Sequence, residues 1–472
     1  MRNLRPIRNS ATNLSGPSLF GSTAAGRFLV DAMNGTDSID IIGIGDSNTG
    51  YNNYGYLAGL DRVLGYSYGI PPYASGLSPG GLASGVSYRD SRSLMIGNGF
   101  SWGGTTDAGS SGGTTQTFIN AVASDSDAQA LRTALGQDTS VAWKWQGFDW
   151  AGQFVAAGVS YTSAVNRNYI ALLTDNPINN GFSTAGGVSC QYRCVYAKFA
   201  TTGGQFKPVV WNSISATVAS SYTSTAGGSA GNWFDVAFLN FTTSSGTVRE
   251  QRGGWDGFGQ GAPATGPMSC LWHSFIKRNQ KGYAVNQFIS HGGLTTTQIA
   301  DRVESTGDLF GAYMQEIRRR QVEAGGSGRA IVFINSGING PDSAASYTAA
   351  MDRIVNRCIS KWTAFGGSEG NIAFVISPTH PVVSVAGNSW DTSRAATTAA
   401  ACAYARQNAG RNITTFDIGT VYPTSRLLTG TIPAGTLYDA AGQSHLTSTT
   451  SAQTNGYDAI ANSIISSLIA NA

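Results

Sequence analysis

The sequence predicts an α/β fold with a parallel sheet, interrupted by an inserted antiparallel β-sandwich of the jelly-roll type. Near both ends of the chain, short β-branched runs alternate with amphipathic, helix-like segments, which is typical of parallel α/β sheets. Between them lies a long block of strand-like segments without a helix, which is typical of an antiparallel sandwich. The 472 residues are enough for two or three domains with a sizeable core.

The first part of the α/β domain is predicted at residues 37–66. Residues 1–36 are polar and rich in Gly, Ser and Asn, which predicts an N-terminal arm or linker. The run at 39–45 is β-branched and bounded by turn residues, which predicts a buried parallel strand. Leucines spaced three and four apart predict a helix over 54–64.

The inserted domain is predicted at residues 67–281, and the second part of the α/β domain at 282–472. The predicted strands of the insert are 141–145, 169–173, 192–199, 206–211, 233–241 and 269–276. The predicted strands after it are 285–290, 331–334, 371–377 and 413–418, and the predicted helices are 296–303, 309–322, 347–362, 393–408 and 457–469. The simplest organisation is therefore one α/β domain with the insert after its first strand and helix.

Composition excludes several functional classes. Hydrophobic residues are 41% of the chain, too many for a disordered protein, and a net charge of +3 predicts no nucleic-acid partner. No stretch approaches 18 apolar residues, so we expect no membrane insertion. The basic N-terminus runs into polar residues rather than an apolar signal core, and the compartment stays open.

Cysteine and histidine spacing predicts neither disulfides nor a metal. The five cysteines are an odd number scattered along the chain, which argues against a disulfide framework. Cys190 and Cys194 could begin a metal site, but positions four apart share one face of a strand, which favours two packed thiols. No cluster has metal-ligand spacing elsewhere, so we expect no metal and no other cofactor.

The first chemically informative motif is Gly45-Asp46-Ser47-Asn48, directly after the opening strand. A hydroxyl at a strand-to-helix turn is exposed where backbone N–H groups face developing negative charge, which suits a nucleophile. The alternative is that Asp46 and Ser47 only cap the next helix.

Three further loops contain residues suited to the same chemistry. Gly292 and Gly293 follow the strand at 285–290, and glycine lets the backbone approach a substrate closely. Asn339 follows the strand at 331–334, where a side-chain amide can donate to an oxyanion. His445 lies shortly before the last helix.

In chain order these four blocks resemble the signature of the SGNH hydrolases, also called GDSL hydrolases, a family of esterases and lipases. The resemblance covers residues 37–66 and 282–472 and implies a three-layer α/β/α domain. The Gly-x-Ser-x-Gly elbow of the α/β-hydrolases is absent around Ser47, which argues against that class.

The resemblance implies a role for each motif residue. Ser47 is the expected nucleophile, His445 the general base and Asp439 the acid that orients it. The backbone N–H groups of Ser47 and Gly293 and the side chain of Asn339 are the expected oxyanion hole.

The sequence departs from the family pattern at two positions. Gly340 stands where the third block has an aspartate, which puts the geometry of that loop in doubt. Gly442 stands where an acid precedes the histidine, so the partner of His445 is either Asp439, six residues before it, or a backbone carbonyl. A serine and histidine without the acid retain part of the catalysis, because much of it comes from the oxyanion hole.

Four residues are further candidates for the pocket: Asp46, Asn48, Gly292 and His380. His380 follows the strand at 371–377, where it either lines the pocket or simply packs between the neighbouring prolines. Asp46, Asn48 and Gly292 are neighbours of the proposed nucleophile and oxyanion glycine.

The predicted function is a serine esterase acting through an acyl-enzyme, with an O-acetylated carbohydrate as the predicted substrate. Family members commonly deacetylate carbohydrates, and the insert contains tryptophans that either stack on sugars or form its core. These tryptophans are Trp143, Trp145, Trp150, Trp211, Trp233 and Trp255.

The alternative is a phage virion or tail protein, structural or receptor-binding, that keeps the SGNH fold with little activity. The low charge and the Gly/Ser/Thr-rich texture favour it. A second copy of the chain and other virion proteins are the protein partners left open, and virion association is the localisation this alternative implies.

Overall fold

The structure is a computed structural model that describes most of the α/β region and part of the insert. The described residues are 19–46, 48–49, 55–74, 76–79, 95–97, 170–173, 189–198, 200, 205–212, 215–218, 221–242, 251–256, 270–291, 294–305, 307–339, 342–378, 380, 389–421 and 456–472.

The strands and helices are numbered in chain order. The strands are β1 (Leu19–Gly21), β2 (Ile39–Asp46), β3 (Ser78–Pro79), β4 (Met95–Gly97), β5 (Ile170–Leu173), β6 (Ser189–Ala197), β7 (Gln205–Asn212), β8 (Ser215–Val218), β9 (Thr223–Ser224), β10 (Phe234–Thr242), β11 (Gln251–Asp256), β12 (Cys270–Lys277), β13 (Tyr283–His291), β14 (Arg329–Ser336), β15 (Ile372–Pro378) and β16 (Ile413–Phe416). The helices are α1 (Ala24–Met33), α2 (Tyr56–Arg62), α3 (Thr296–Ser305), α4 (Asp308–Glu323), α5 (Ala344–Ala364), α6 (Ser389–Gln407), α7 (Ile418–Val421) and α8 (Gly456–Ala470).

The predicted parallel sheet is confirmed. Its strand order is β1-β16-β15-β14-β2-β13, in which β13, β2, β14, β15 and β16 are parallel and β1 is an antiparallel edge strand. Strands β2, β14 and β15 are almost entirely buried, as their largely apolar sequences indicate. β2, the first parallel strand in the chain, therefore lies in the interior of the sheet, between β13 and β14.

Helices cover both faces of this sheet, giving three layers. One face of the sheet, with side chains such as Ile42, Val332 and Phe374, is covered by α3, α4, α5 and α6. The other face, with side chains such as Ile41 and Phe333, is covered by α1, α2, α7 and α8. Of the helices that the structure describes, none is long and apolar enough to cross a membrane.

The predicted N-terminal arm is wrong for the described part of residues 1–36. β1 pairs with β16 at the edge of the sheet, and α1 packs against α8 with Phe28 and Leu29 buried. The apolar face of α1 is short and has polar residues on both sides, so its helical periodicity is weak in the sequence. The sheet and its helical layer thus begin before residue 37.

The antiparallel character of the insert is confirmed. One sheet has the order β10-β6-β12-β3, and the other has β4-β5-β11-β7-β8, with β9 paired to β7. Cys190 and Cys194 are both buried free thiols, four residues apart on β6, as the packed-thiol interpretation requires. Packing of the two sheets as a sandwich, and the exact domain boundaries, stay predictions.

The insert is joined to the α/β domain through α4. Trp272 of β12 packs edge-on against Tyr313 of α4, with ring centroids 5.3 Å apart. Arg193 of β6 forms a bidentate ion pair with Glu316 of α4, at 2.5 Å from Nε and 3.0 Å from Nη2. Both charged residues are buried, so this junction is a packed interface.

A second buried ion pair fixes α4 to the sheet. Arg320 of α4 pairs with Asp40 of β2, and both side chains are fully buried. Asn286 of β13 donates to the same carboxylate at 2.6 Å, and Gln321 donates to it at 2.7 Å. The charges therefore have the additional hydrogen bonds that a buried pair needs.

We expect Asp40→Ala to lower the free energy of unfolding by about 3–5 kcal/mol, because it leaves the Arg320 guanidinium buried without a counter-charge. The control is Asp301→Ala, which removes an exposed partner of Arg353 and should cost about 1 kcal/mol or less. Urea denaturation measures both, and equal losses would contradict the assignment of Asp40 and Arg320 as a structural pair.

Candidate active site

The strand register brings the starting points of three motif loops together. His291, the last residue of β13, pairs with Asp46, the last residue of β2. Gly45 pairs with Asn335 of β14 on the other side. Because these strands are parallel, the first, second and third blocks begin side by side at the carboxyl edge of the sheet, where α/β proteins form their sites.

The predicted site residues divide into two groups. Asp46, Asn48, Asn339 and His380 are described by the structure. Outside the described residues lie Ser47, Gly292, Gly293, Asp439 and His445, together with Gly340 and Gly442. The catalytic triad and the two backbone donors of the oxyanion hole therefore stay predictions.

Hydrogen bonds around Asp46 shape the start of the first loop. Its Oδ1 accepts the backbone N–H of Asn48 at 2.9 Å, and its carbonyl accepts the N–H of Thr49 at 3.1 Å. The Thr49 hydroxyl donates to the Asn335 carbonyl at 3.3 Å. A Cβ on Gly45 would lie 2.0 Å from both that carbonyl oxygen and Thr49 Oγ1, so the close approach needs glycine.

Asp46 also reaches the third loop. Burial raises the pKa of its carboxyl to about 7, and hydrogen bonds from the backbone N–H groups of Asn48 and Ile338 oppose this rise. Ile338 directly precedes Asn339. One carboxyl group therefore holds the turn of the first block and the backbone next to the proposed oxyanion donor.

Asn339 connects the third loop to the second. Its Nδ2 donates to the carbonyl of Leu294, the residue after Gly293, at 3.2 Å. The side chain is partly exposed at the sheet edge. An amide nitrogen has two N–H groups, so this contact uses one of them.

Asp342 is a site residue that the sequence analysis missed. Its Oδ2 accepts the hydroxyl of Thr296, at the start of α3, at 2.5 Å. The family pattern led to Gly340 as the position of a missing aspartate, whereas an acid two residues later ties the third loop to the second. Its closeness to Gly340 in the sequence is the only signal that could have identified it.

His380 lies near the same edge, two residues beyond β15, with its ring fully buried. Its Nδ1 is 2.9 Å from the hydroxyl of Tyr56, the first residue of α2. The role of His380 in the pocket stays a prediction.

Asn48 is fixed by a tyrosine from the last helix. The hydroxyl of Tyr457 in α8 donates to Asn48 Oδ1 at 2.6 Å, and Asn48 is fully buried. The rings of Tyr457 and Tyr56 meet edge to face with centroids 5.3 Å apart. Sequence periodicity predicts these helix positions as core, but it gives no signal for the partners of their hydroxyl groups.

The opposite face of the sheet adds a buried tyrosine near Asp46. Tyr347 of α5 lies within electrostatic reach of Asp46 and beside the hydroxyl of Ser336. Burial raises the pKa of Tyr347 above its ordinary value, so this group stays neutral at physiological pH. Within the described part of the chain, no group of three or more His, Cys, Asp or Glu residues is arranged to hold a metal ion.

No family profile and no curated protein sequence matches the chain. Solved structures that resemble it include a peptidoglycan O-acetylesterase, at 12% identity and a TM-score of 0.46, covering 96% of this chain and 98% of the other. A carbohydrate esterase of family two from Corynascus thermopiles (Myceliophthora fergusii), with a carbohydrate-binding domain, has 12% identity and a TM-score of 0.26, with coverage of 68% and 95%.

A family two carbohydrate esterase from Cellvibrio japonicus has 9% identity and a TM-score of 0.19, with coverage of 55% of this chain and 84% of the other. All three TM-scores lie below 0.5, so the functional proposal depends on the residues of this chain. These similarities include nothing in favour of an association with phage virions.

We expect Asp46→Asn to weaken the pH dependence of stability. A carboxyl whose pKa rises from 3.8 to about 7 on folding binds its proton more tightly in the folded state, so its contribution to stability is lost as the pH rises through that window. Between pH 5 and pH 8 the wild type should lose about 2–3 kcal/mol more than the variant, measured by urea denaturation.

Asp235→Asn, at an exposed position of β10, is the control for this measurement and should leave the slope as in the wild type. Parallel stability-against-pH curves for the wild type and Asp46→Asn would contradict the raised pKa of Asp46.

Proposed function

We propose that this protein is a serine esterase that hydrolyses carboxylic esters through an acyl-enzyme, and that its substrate is an O-acetylated carbohydrate. The observation that supports this most is the register that pairs His291 with Asp46 and Asn335 with Gly45. It aligns three strand ends whose loops contain the proposed nucleophile, oxyanion glycine and oxyanion amide.

In the proposed mechanism, His445 takes the proton of the Ser47 hydroxyl as Oγ attacks the ester carbonyl. The resulting oxyanion accepts hydrogen bonds from the N–H groups of Ser47 and Gly293 and from the amide of Asn339. His445 then gives the proton to the leaving alcohol. Water, deprotonated by the same histidine, releases the acid and restores Ser47.

The contacts of Asn339 are compatible with its part in this mechanism. One amide N–H donates to the Leu294 carbonyl, which holds the side chain next to the second loop. Asn339 is partly exposed, so its other N–H can donate to a substrate bound at the edge of the sheet. A donor that is already held in place costs no reorganisation when the oxyanion forms.

The carbohydrate part of the proposal rests on the family resemblance and on the aromatic residues of the insert. Trp233, the member of the tryptophan set whose side chain the structure describes, is half-buried and packs against the hydrophobic core. Phe238 of β10 is 54% exposed. Aromatic faces at a surface bind sugar rings by stacking. Nothing on the described residues favours the virion alternative.

We expect Ser47→Ala to reduce kcat for a generic acetyl ester by about 10⁴-fold or more, because it removes the nucleophile. The matched control is Ser466→Ala, on an exposed position of α8, which should leave turnover unchanged. Acetate release from an O-acetylated polysaccharide, with the chemically deacetylated polymer as blank, tests the substrate class. Undiminished turnover by Ser47→Ala would exclude the proposed mechanism.

We expect Asn339→Ala to lower kcat by about 10²–10³-fold with little change in KM, because the lost hydrogen bond forms mainly in the transition state. Asn371→Ala is the control, since it removes an exposed amide that donates to Ser327 at the amino end of β14. A change confined to KM would show that Asn339 binds the ground state instead.

A further inference from the structure

Two buried tyrosines from different helices meet beneath the first motif loop. Tyr56 opens α2, and Tyr457 lies in the first turn of α8. Both are fully buried, and their rings pack edge to face at 86°. Aromatic pairs with this geometry are rigid and favourable, so the two helices have a defined relative position at this point.

The hydroxyl of Tyr457 reaches a residue next to the proposed nucleophile. It donates to Asn48 Oδ1 at 2.6 Å, and Asn48 follows Ser47 directly. Tyr457 lies 12 positions after His445 (457 − 445). This hydrogen bond therefore connects Asn48, the neighbour of Ser47, with α8, the helix that follows His445 in the chain.

Asn48 passes this connection on to Asp46. The backbone N–H of Asn48 donates to Asp46 Oδ1 at 2.9 Å. Asp46 in turn accepts the backbone N–H of Ile338. The hydrogen bonds thus run from α8 through the first loop to the residue before Asn339.

We propose that Tyr457 and Asn48 are positioning residues, whose hydrogen bond sets the Ser47 turn relative to α8. This inference rests on the proposed esterase function. A displacement of about 1 Å between reacting groups costs about 10²-fold in rate, so the effect of a single buried hydrogen bond on catalysis can exceed its effect on stability.

Four variants test the positioning role: Tyr457→Phe, Asn48→Ala, their combination, and the control Tyr283→Phe. Tyr283 is equally buried on the same face of the sheet, and its hydroxyl donates to the Asp61 carbonyl at 2.9 Å, but it lies at the amino end of β13. The readouts are the rate of Ser47 labelling by a fluorophosphonate, and kcat and KM for an acetyl ester.

We expect Tyr457→Phe and Asn48→Ala each to slow labelling and lower kcat by about 10–100-fold, with KM changed less than about twofold. The combined variant should be no slower than the slower single variant, because both changes remove the same interaction. Tyr283→Phe should label at the wild-type rate.

Multiplicative effects of Tyr457→Phe and Asn48→Ala would overturn the positioning role, and so would equal slowing by Tyr457→Phe and Tyr283→Phe. If Asn48→Ala does not fold, the comparison of the two tyrosine variants decides. A wild type that is not labelled at Ser47 and does not cleave the ester would overturn the esterase function and the positioning role together. If the wild type is labelled at Ser47 but the effects of Tyr457→Phe and Asn48→Ala multiply, only the positioning role is overturned.

Discussion

The burial of the Asp46 carboxyl at the end of β2 is the constraint on which the candidate site depends. A carboxyl removed from water must find hydrogen-bond donors, and here they come from Asn48 in its own loop and Ile338 in the third loop. Gly45 allows this, because a larger residue would collide with Asn335. The loops at two strand ends are thereby held by one group, and raising its pKa to about 7 is the electrostatic cost of that arrangement.

The same sheet also anchors the insert. Side chains of the insert such as Val195 and Trp272 belong to the hydrophobic core that α4 forms with the sheet, and the ion pair of Arg193 and Glu316 lies in that interface. The insert is therefore packed on the α/β domain through α4.

The regular elements after residue 282 were predictable because their patterns are strong. The run 331–334 lies within β14, and the predicted helix 347–362 lies within α5. The arm was mispredicted because ten residues of helix between polar flanks give a weak signal, and packing on α8 decides its structure. Motif order indicated where the site lies, but the partners of Asp342 and Tyr457 depend on tertiary contacts between residues 46 and 409 positions apart, which no local pattern contains.

The proposed catalysis requires Ser47 and His445 to meet at the carboxyl edge of this sheet, beside Asn339. An experimental structure of the protein treated with a fluorophosphonate would show whether they do. We expect phosphorus bound to Ser47 Oγ, a nitrogen of His445 within about 3 Å of that oxygen, and a phosphonyl oxygen facing the Asn339 amide. An unmodified Ser47, or His445 on another side of the sheet, would contradict the proposed catalysis.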